Sequence, residues 1–390
     1  MIPAVMPTYA RWDVAADHGE GCYLYAADGS KFLDFTTGIA VTGLGHSHPH
    51  LVKAVKEQAE RLWHVSNLFH IPGQERLAQR LVDHSFADTV FFVNSGAEAV
   101  ELSLKVARKY QSASGHPERY RIIGCEGSFH GRTFATLAAA GNQKYLEGFG
   151  PPMEGFDHVA FNNLNEMRAA VGPETAAILV EPVQGEGGVR APSPGYLKAL
   201  RRIADEEGVV LVYDEVQCGM GRSGKLFAHE WEGAAPDVMA IAKALGGGFP
   251  IGACLATERA AIGMAAGSHG STFGGNPLAA AAGNAVLDVM LEPEFLPRVE
   301  AMARLLSKRL SRLVETYPRL FAELRGSGLL LGIRCVVPAA DVVTRLRHEG
   351  LLTLTAGENV LRILPPLVVG EREIDEAMTI LEKVAREWPA

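Results

Sequence analysis

Short apolar runs alternate with longer segments of helical period through the middle of the chain. TVFFV (89–93), AAILV (176–180) and VVLVY (209–213) read as buried strands. Between them lie EAVELSLKVARKY and PGYLKALRRIADEEG, whose apolar positions recur at helical spacing. Strand, helix, strand in succession predicts βαβ units and a parallel sheet. Near the N-terminus GEGCYLYAADGSKFLDF alternates aromatic and polar residues around Asp28-Gly29, which predicts a hairpin. From about 277 the pattern turns helical (LAAAAGNAVLDVML, then FLPRVEAMARLLSKRLSRLVETY), gives strands at GLLLGIRC and NVLRILP, and closes on a helix from Glu371. The expected architecture is α/β. A large domain spans 51–275, and a smaller α+β unit is built from both chain ends, 1–50 and 276–390.

Composition adds little to this picture except at two points. With 390 residues, 47% apolar and 21% charged, the chain is an ordinary globular sequence, long enough to bury a core without disulfides or structural metals. The net charge of −8 disfavours a nucleic-acid backbone or an anionic membrane as partner. Five scattered cysteines without a C-x-x-C pair argue against a disulfide framework or zinc site. The opening MIPAVMPTYARWD has neither a positive n-region nor an apolar h-region, so a soluble cytoplasmic protein is expected. Glycine is the departure: 42 of 390 residues, against a usual share near ~7%.

Candidate chemistry begins at Lys243, in DVMAIAKALGGGFPIGA. Of eleven lysines it alone has no charged residue within five positions on either side. Apolar surroundings lower a lysine's pKa and make it a competent amine nucleophile, although a lysine snorkelling from a helix end has the same signature. Asp214 ends the strand VVLVY, where ligands sit in open α/β sheets; a turn former or helix cap is the plainer alternative. A lysine for a Schiff base and a carboxylate for a ring nitrogen are together what a pyridoxal cofactor requires. In FVNSGAEAVEL, a strand runs through Asn94-Ser95-Gly96-Ala97 into a helix and aims free N–H groups at one spot. A phosphate fits there and would account for Gly96, while a Ser95-x-x-Glu98 capping box would satisfy the same amides without a ligand.

Arg132, in GSFHGRTF, and Arg362, in NVLRILPP, lie among apolar or small residues. A buried arginine needs an anion, and either a substrate carboxylate or an internal acid such as Glu186 in QGEGG would serve. Two further patterns carry no site. GMGRSG (219–224) follows its strand by five residues and opens no helix, unlike a dinucleotide fingerprint. His46, His48 and His50 in GHSHPH are interrupted by Pro49 and completed by no acid or cysteine, so a turn is expected rather than a metal site.

The ordered motifs GIAVTGLGHSHP, FVNSGAEAVE, GSFHGRT, VEPVQGEGG, DEVQCGMGRSG, KALGGGFPIGA, STFGGNPLA and LRILPPL cover nearly the whole length. Together they resemble the class III (subgroup II, ω-) aminotransferases of pyridoxal-phosphate fold type I, most closely the branch acting on N-acetylated ornithine in arginine biosynthesis. The resemblance implies that Lys243 holds pyridoxal 5'-phosphate as a Schiff base and later shuttles a proton, with Asp214 pairing with the ring nitrogen. It implies that Gln217 bonds the ring hydroxyl, that Val216 and Phe129 sandwich the ring, and that Ser95, Gly96 and Ala97 cradle the phosphate. Ser271 and Thr272 would reach the phosphate of a neighbouring subunit, making a homodimer with shared sites. Arg132 would clamp the α-carboxylate of N-acetylornithine. Glu186 would neutralise Arg362 while the donor is bound, then release it to hold 2-oxoglutarate or glutamate. Ile39 stands where ornithine-specific members carry tyrosine, which disfavours free ornithine, and Phe273 replaces a frequent tyrosine. N-succinyl-diaminopimelate is a further acylated substrate the resemblance allows. Other ω-aminotransferases, acting on 4-aminobutyrate or ornithine, are the alternatives within the family. A non-catalytic assembly protein and a nicotinamide dehydrogenase are the alternatives outside it.

Overall fold

A computed structural model describes residues 2–389. Strands β1 (Ala16–Glu20), β2 (Tyr23–Ala26) and β3 (Lys31–Asp34) form an antiparallel meander, and the β2–β3 turn is the expected Asp28-Gly29 hairpin. Seven strands then make the central sheet: β4 (Thr89–Val93), β5 (Arg121–Cys125), β6 (Phe156–Val159), β7 (Thr175–Val180), β8 (Val210–Asp214), β9 (Val238–Ile241) and β10 (Gly252–Ala256). Their order is β4-β10-β9-β8-β7-β5-β6. Only β10 runs against its neighbours, so the sheet is mostly parallel, as the alternating pattern implies.

The three apolar runs picked out in the sequence are β4, β7 and β8. All of β7 and β8 is buried, which is why these strands read as continuous apolar runs rather than alternating ones. The strands the sequence pattern did not single out are β5, β6, β9 and β10; RIIGC and GACLA carry small residues, and FDHV and VMAI are only four residues long. Helix Gly96–Ala113 lays Ala99, Val100, Ser103, Leu104 and Ala107 against the sheet at helical spacing.

The C-terminal part begins with helices Pro277–Met290 and Phe295–Thr316. Strands β11 (Phe321–Ser327), β12 (Leu330–Cys335), β13 (Leu351–Leu352), β14 (Leu354–Ala356) and β15 (Val360–Ile363) follow, and helix Glu371–Arg386 closes it. Strands β11, β12, β15 and β14 form one antiparallel sheet, while β13 joins β3 in parallel. The chain ends are therefore knit together, and Leu364 and Leu367 bond back to Phe35 and Gly43.

Candidate active site

The carboxyl ends of the parallel strands converge on one cavity of about 430 Å³, within the range of small-molecule sites. Asp214 closes β8, Lys243 lies two residues past β9, Glu181 follows β7, and Asn94 and Ser95 follow β4. This is where an open α/β sheet presents its ligand site.

Lys243 does not sit at the end of a long helix. It occupies a single 3-10 turn after β9 with φ of +47°, a backbone state that costs a non-glycine residue about 1–3 kcal/mol. Burial pushes its amine down to about 8, although Glu186 pulls the other way. The lysine is therefore held, at some backbone cost, as an amine much closer to its neutral form than usual.

Asp214 is almost wholly buried. One oxygen takes a 2.8 Å hydrogen bond with His130 Nδ1, and the other accepts from the Val216 amide at 3.0 Å. His130 Nε2 is buried without a partner among the described residues. Glu181 shares this floor, accepting from the Phe129 amide at 3.0 Å, and burial raises its carboxyl to about 7. The sequence reading did not single out His130 or Glu181. Glu181 is, like Asp214, an acid at the carboxyl end of a parallel strand.

At the start of helix Gly96–Ala113, Ser95 Oγ accepts from the Glu98 amide at 3.2 Å. The expected reciprocal arm of the capping box is displaced by one residue. Glu98 Oε2 accepts from Asn94, both amide (2.6 Å) and side chain (3.0 Å). The amides of Ser95, Gly96 and Ala97 are thus left without a partner among the described residues, at the positive end of an 18-residue helix. A Cβ at Gly96 would lie 2.6 Å from Val216 Cγ1, so the close approach of the valine by itself already requires glycine here.

Phe129 and Val216 both line the cavity, as does Gln217. Gln217 Oε1 accepts from Arg362 Nη1 at 3.1 Å, and the same nitrogen lies 2.5 Å from Glu186 Oε1. Arg362 is 2% exposed, in β15 as expected, and its charge holds the Glu186 carboxyl below the usual range against the opposing effect of burial. Arg132 departs from expectation: it is exposed at the cavity mouth rather than buried. Its guanidinium stacks 3.8 Å from the centre of the Tyr145 ring and has no ion-pair partner among the described residues. The aromatic ring explains how a cation can be held in place there without an acid.

Ser271 and Thr272 do not line this cavity. Ser271 Oγ bonds the Gly274 amide, and Thr272 is exposed. The histidines of GHSHPH diverge, His46 to Asp34 and His50 to Asp288, and Pro49 opens a helix.

A pyridoxal phosphate fits these residues on the structure's own terms. The open amides form an anion cradle, the strained lysine offers an amine, and a buried carboxylate backed by histidine faces the same space.

Comparison with known proteins agrees. Residues 6–385 match the family Aminotransferase class-III. The acetylornithine aminotransferase of Mesorhizobium japonicum is 58% identical over 98% of this chain and 96% of its own length. That of Agrobacterium fabrum is 55% identical over 97% and 95%. Among solved structures, the N-acetylornithine aminotransferase of Stenotrophomonas maltophilia K279a is 38% identical, covers 97% of each chain and superposes with a TM-score of 0.85. The ornithine aminotransferase of Toxoplasma gondii ME49 reaches 0.95 at 31% identity, covering 98% of this chain and 92% of that one. Backbone similarity therefore does not rank substrates.

Proposed function

The chain belongs to the class-III aminotransferases, and we propose that within them it is an N-acetylornithine:2-oxoglutarate aminotransferase of arginine biosynthesis. The observation that carries this reading is the unlike state of two arginines, Arg132 on the cavity lining and Arg362 behind Gln217. Arg132 is free to take a carboxylate, and Arg362 is masked by Glu186. A donor that carries no carboxylate on its reacting carbon needs the second arginine neutralised, and a dicarboxylic acceptor needs it released. The names of the relatives support the acetylated donor, and Ile39 in place of tyrosine argues against free ornithine.

Pyridoxal 5'-phosphate, when bound, supplies a carbonyl for the incoming amine and an electron sink for the pair left on the substrate carbon. The protein does the rest. The amides of Ser95, Gly96 and Ala97 hold the phosphate, and Val216 and Phe129 exclude water from the two ring faces. Asp214, its charge supported by His130, keeps a proton on the ring nitrogen, and Gln217 serves the ring hydroxyl. Lys243 would hold the cofactor through Nζ and, once displaced, its amine would take the proton from the amine-bearing carbon of the substrate and return it on the far side of the nitrogen, two atoms along. Arg132 orients the N-acetylornithine α-carboxylate, as a bidentate guanidinium can.

The working unit in this reading is a homodimer in which Ser271 and Thr272 serve the partner's phosphate. Exposed Trp63, Leu68, Phe69 and Phe273 support it, because Asn67 bonds Ser271 O and the His64 and Phe273 rings lie 5.0 Å apart, joining both segments into one apolar patch. Among the described residues no helix is long and apolar enough to cross a membrane. A cytoplasmic location accords with five buried, free cysteines.

The test is a donor panel against 2-oxoglutarate, with glutamate formation as the readout. N-acetylornithine should give the highest kcat/KM, above ornithine, 4-aminobutyrate and N-succinyl-diaminopimelate. Preference for free ornithine would overturn the assignment.

A further inference from the structure

Arg222, in the GMGRSG segment that matched no binding motif, is 1% exposed and has no ion-pair partner among the described residues. Its Nη1 donates to two backbone carbonyls, Pro365 O at 2.5 Å and Leu329 O at 3.3 Å, while the Arg222 carbonyl accepts from the Leu329 amide at 2.9 Å. These acceptors are not arbitrary. Strands β12 and β15 pair in antiparallel register, with Gly332 opposite Arg362 and Leu331 opposite Ile363. The ladder ends at that pair, since the Leu364 amide turns to Phe35 O; two steps further along the register Leu329 comes opposite Pro365, which has no N–H to donate. The guanidinium supplies the missing donor to both strands at the point where the ladder fails. It reaches them from the loop that leaves Asp214 and carries Val216 and Gln217.

We propose that Arg222 is a positioning residue for the acceptor half of the reaction: it fixes the end of the β12–β15 ladder to the cofactor-side loop and so sets Arg362 against Glu186 and Gln217. Both bonds come from Nη1, and Nε and Nη2 are buried without a partner among the described residues; lysine at this position keeps the charge, but its Nζ ends one bond short of Nη1. This inference rests on the reading of Arg362 as the site for an acceptor carboxylate.

The test uses the cofactor-loaded enzyme and measures each half-reaction separately, together with Tm and the Kd of glutarate, an unreactive dicarboxylate. Arg222→Lys should raise the KM for 2-oxoglutarate and the Kd for glutarate roughly tenfold, with the N-acetylornithine half-reaction changed less than twofold. In an Arg362→Ala background the same substitution should have no further effect on glutarate binding. Should Arg222→Lys fail to fold, Gly328→Ala makes an equivalent displacement. Gly328 lies on the partly exposed β11–β12 turn with φ of +61°, and a Cβ there would meet the Ser223 carbonyl carbon at 2.4 Å, pushing Leu329 away from Arg222. It should produce the same asymmetry. Equal loss in both half-reactions, a fall in Tm without asymmetry, or additivity with Arg362→Ala would overturn the inference. If Arg362→Ala itself leaves glutarate binding unchanged, the reading of Arg362 fails first, and the two failures are thereby told apart.

Discussion

Arg362 Nη1 lies 2.5 Å from Glu186 Oε1, joining a strand of the C-terminal sheet to the loop that follows β7, beside the Gln217 that lines the cavity. The guanidinium is almost wholly buried and its partner is not. The pair is therefore lopsided: the acid can swing toward solvent, whereas the arginine has nowhere to go. Removing the acid should unmask the arginine permanently. Glu186→Gln is expected to lower kcat/KM for N-acetylornithine about tenfold or more and to spare or improve the glutamate half-reaction, since unpairing a partly buried charge is worth several kcal/mol. Stopped-flow measurement of each half-reaction checks this, and equal effects on both would refute it.

Arg132 is anchored by the Tyr145 ring and not by an acid, so it can be removed without leaving a buried charge behind. Arg132→Ala should leave Tm nearly unchanged. It should reduce kcat/KM for N-acetylornithine about ten- to a hundredfold, the loss of a hydrogen-bonded charge worth about 1.5–3 kcal/mol. Steady-state kinetics alongside thermal unfolding would show whether the two effects separate.

Lys243 should show its lowered pKa before any cofactor binds. Folded, its amine titrates at about 8, against 10.5 when unfolded, so between those values the folded chain binds fewer protons. Two consequences follow with the same sign. This group's contribution to the stability of the cofactor-free protein increases as pH rises above about 8, and the rate of pyridoxal phosphate capture climbs with a midpoint near 8. Absorbance-monitored capture across pH 6–11 is the check, and a midpoint near 10.5 would contradict the burial argument.

Gly96→Ala tests the packing behind the phosphate cradle. The added methyl must displace Val216, and with it the amide that Asp214 bonds at 3.0 Å. Overpacking of this kind costs about 1–3 kcal/mol, and the expected outcome is a ten- to hundredfold weaker cofactor Kd with secondary structure retained. Unchanged affinity would mean the valine has room to move.

Much of this was legible in the sequence, because buried strands and strand-end residues leave local signals. The apolar runs β4, β7 and β8 announced the parallel sheet, and Lys243 and Asp214 stood out by isolation and position. What escaped was set by tertiary approach. Arg132 looked buried because its neighbours are small, yet those small residues pack inward and leave it at the surface over Tyr145. Glu98 reached Asn94 instead of Ser95, a displacement of one residue that no pattern encodes. His130 meets Asp214 from 84 positions away in the chain, and Arg222 finds its carbonyls only where two distant strands end at Pro365.

Lys243 is the residue proposed to hold the cofactor in this cavity. Borohydride reduction of the purified, cofactor-loaded protein, followed by peptide mapping by mass spectrometry, tests that most directly. A pyridoxyl group on the peptide containing Lys243, lost in Lys243→Ala while the variant stays folded, is the expected result. A label on another lysine, or none on a protein that still transaminates, would contradict it.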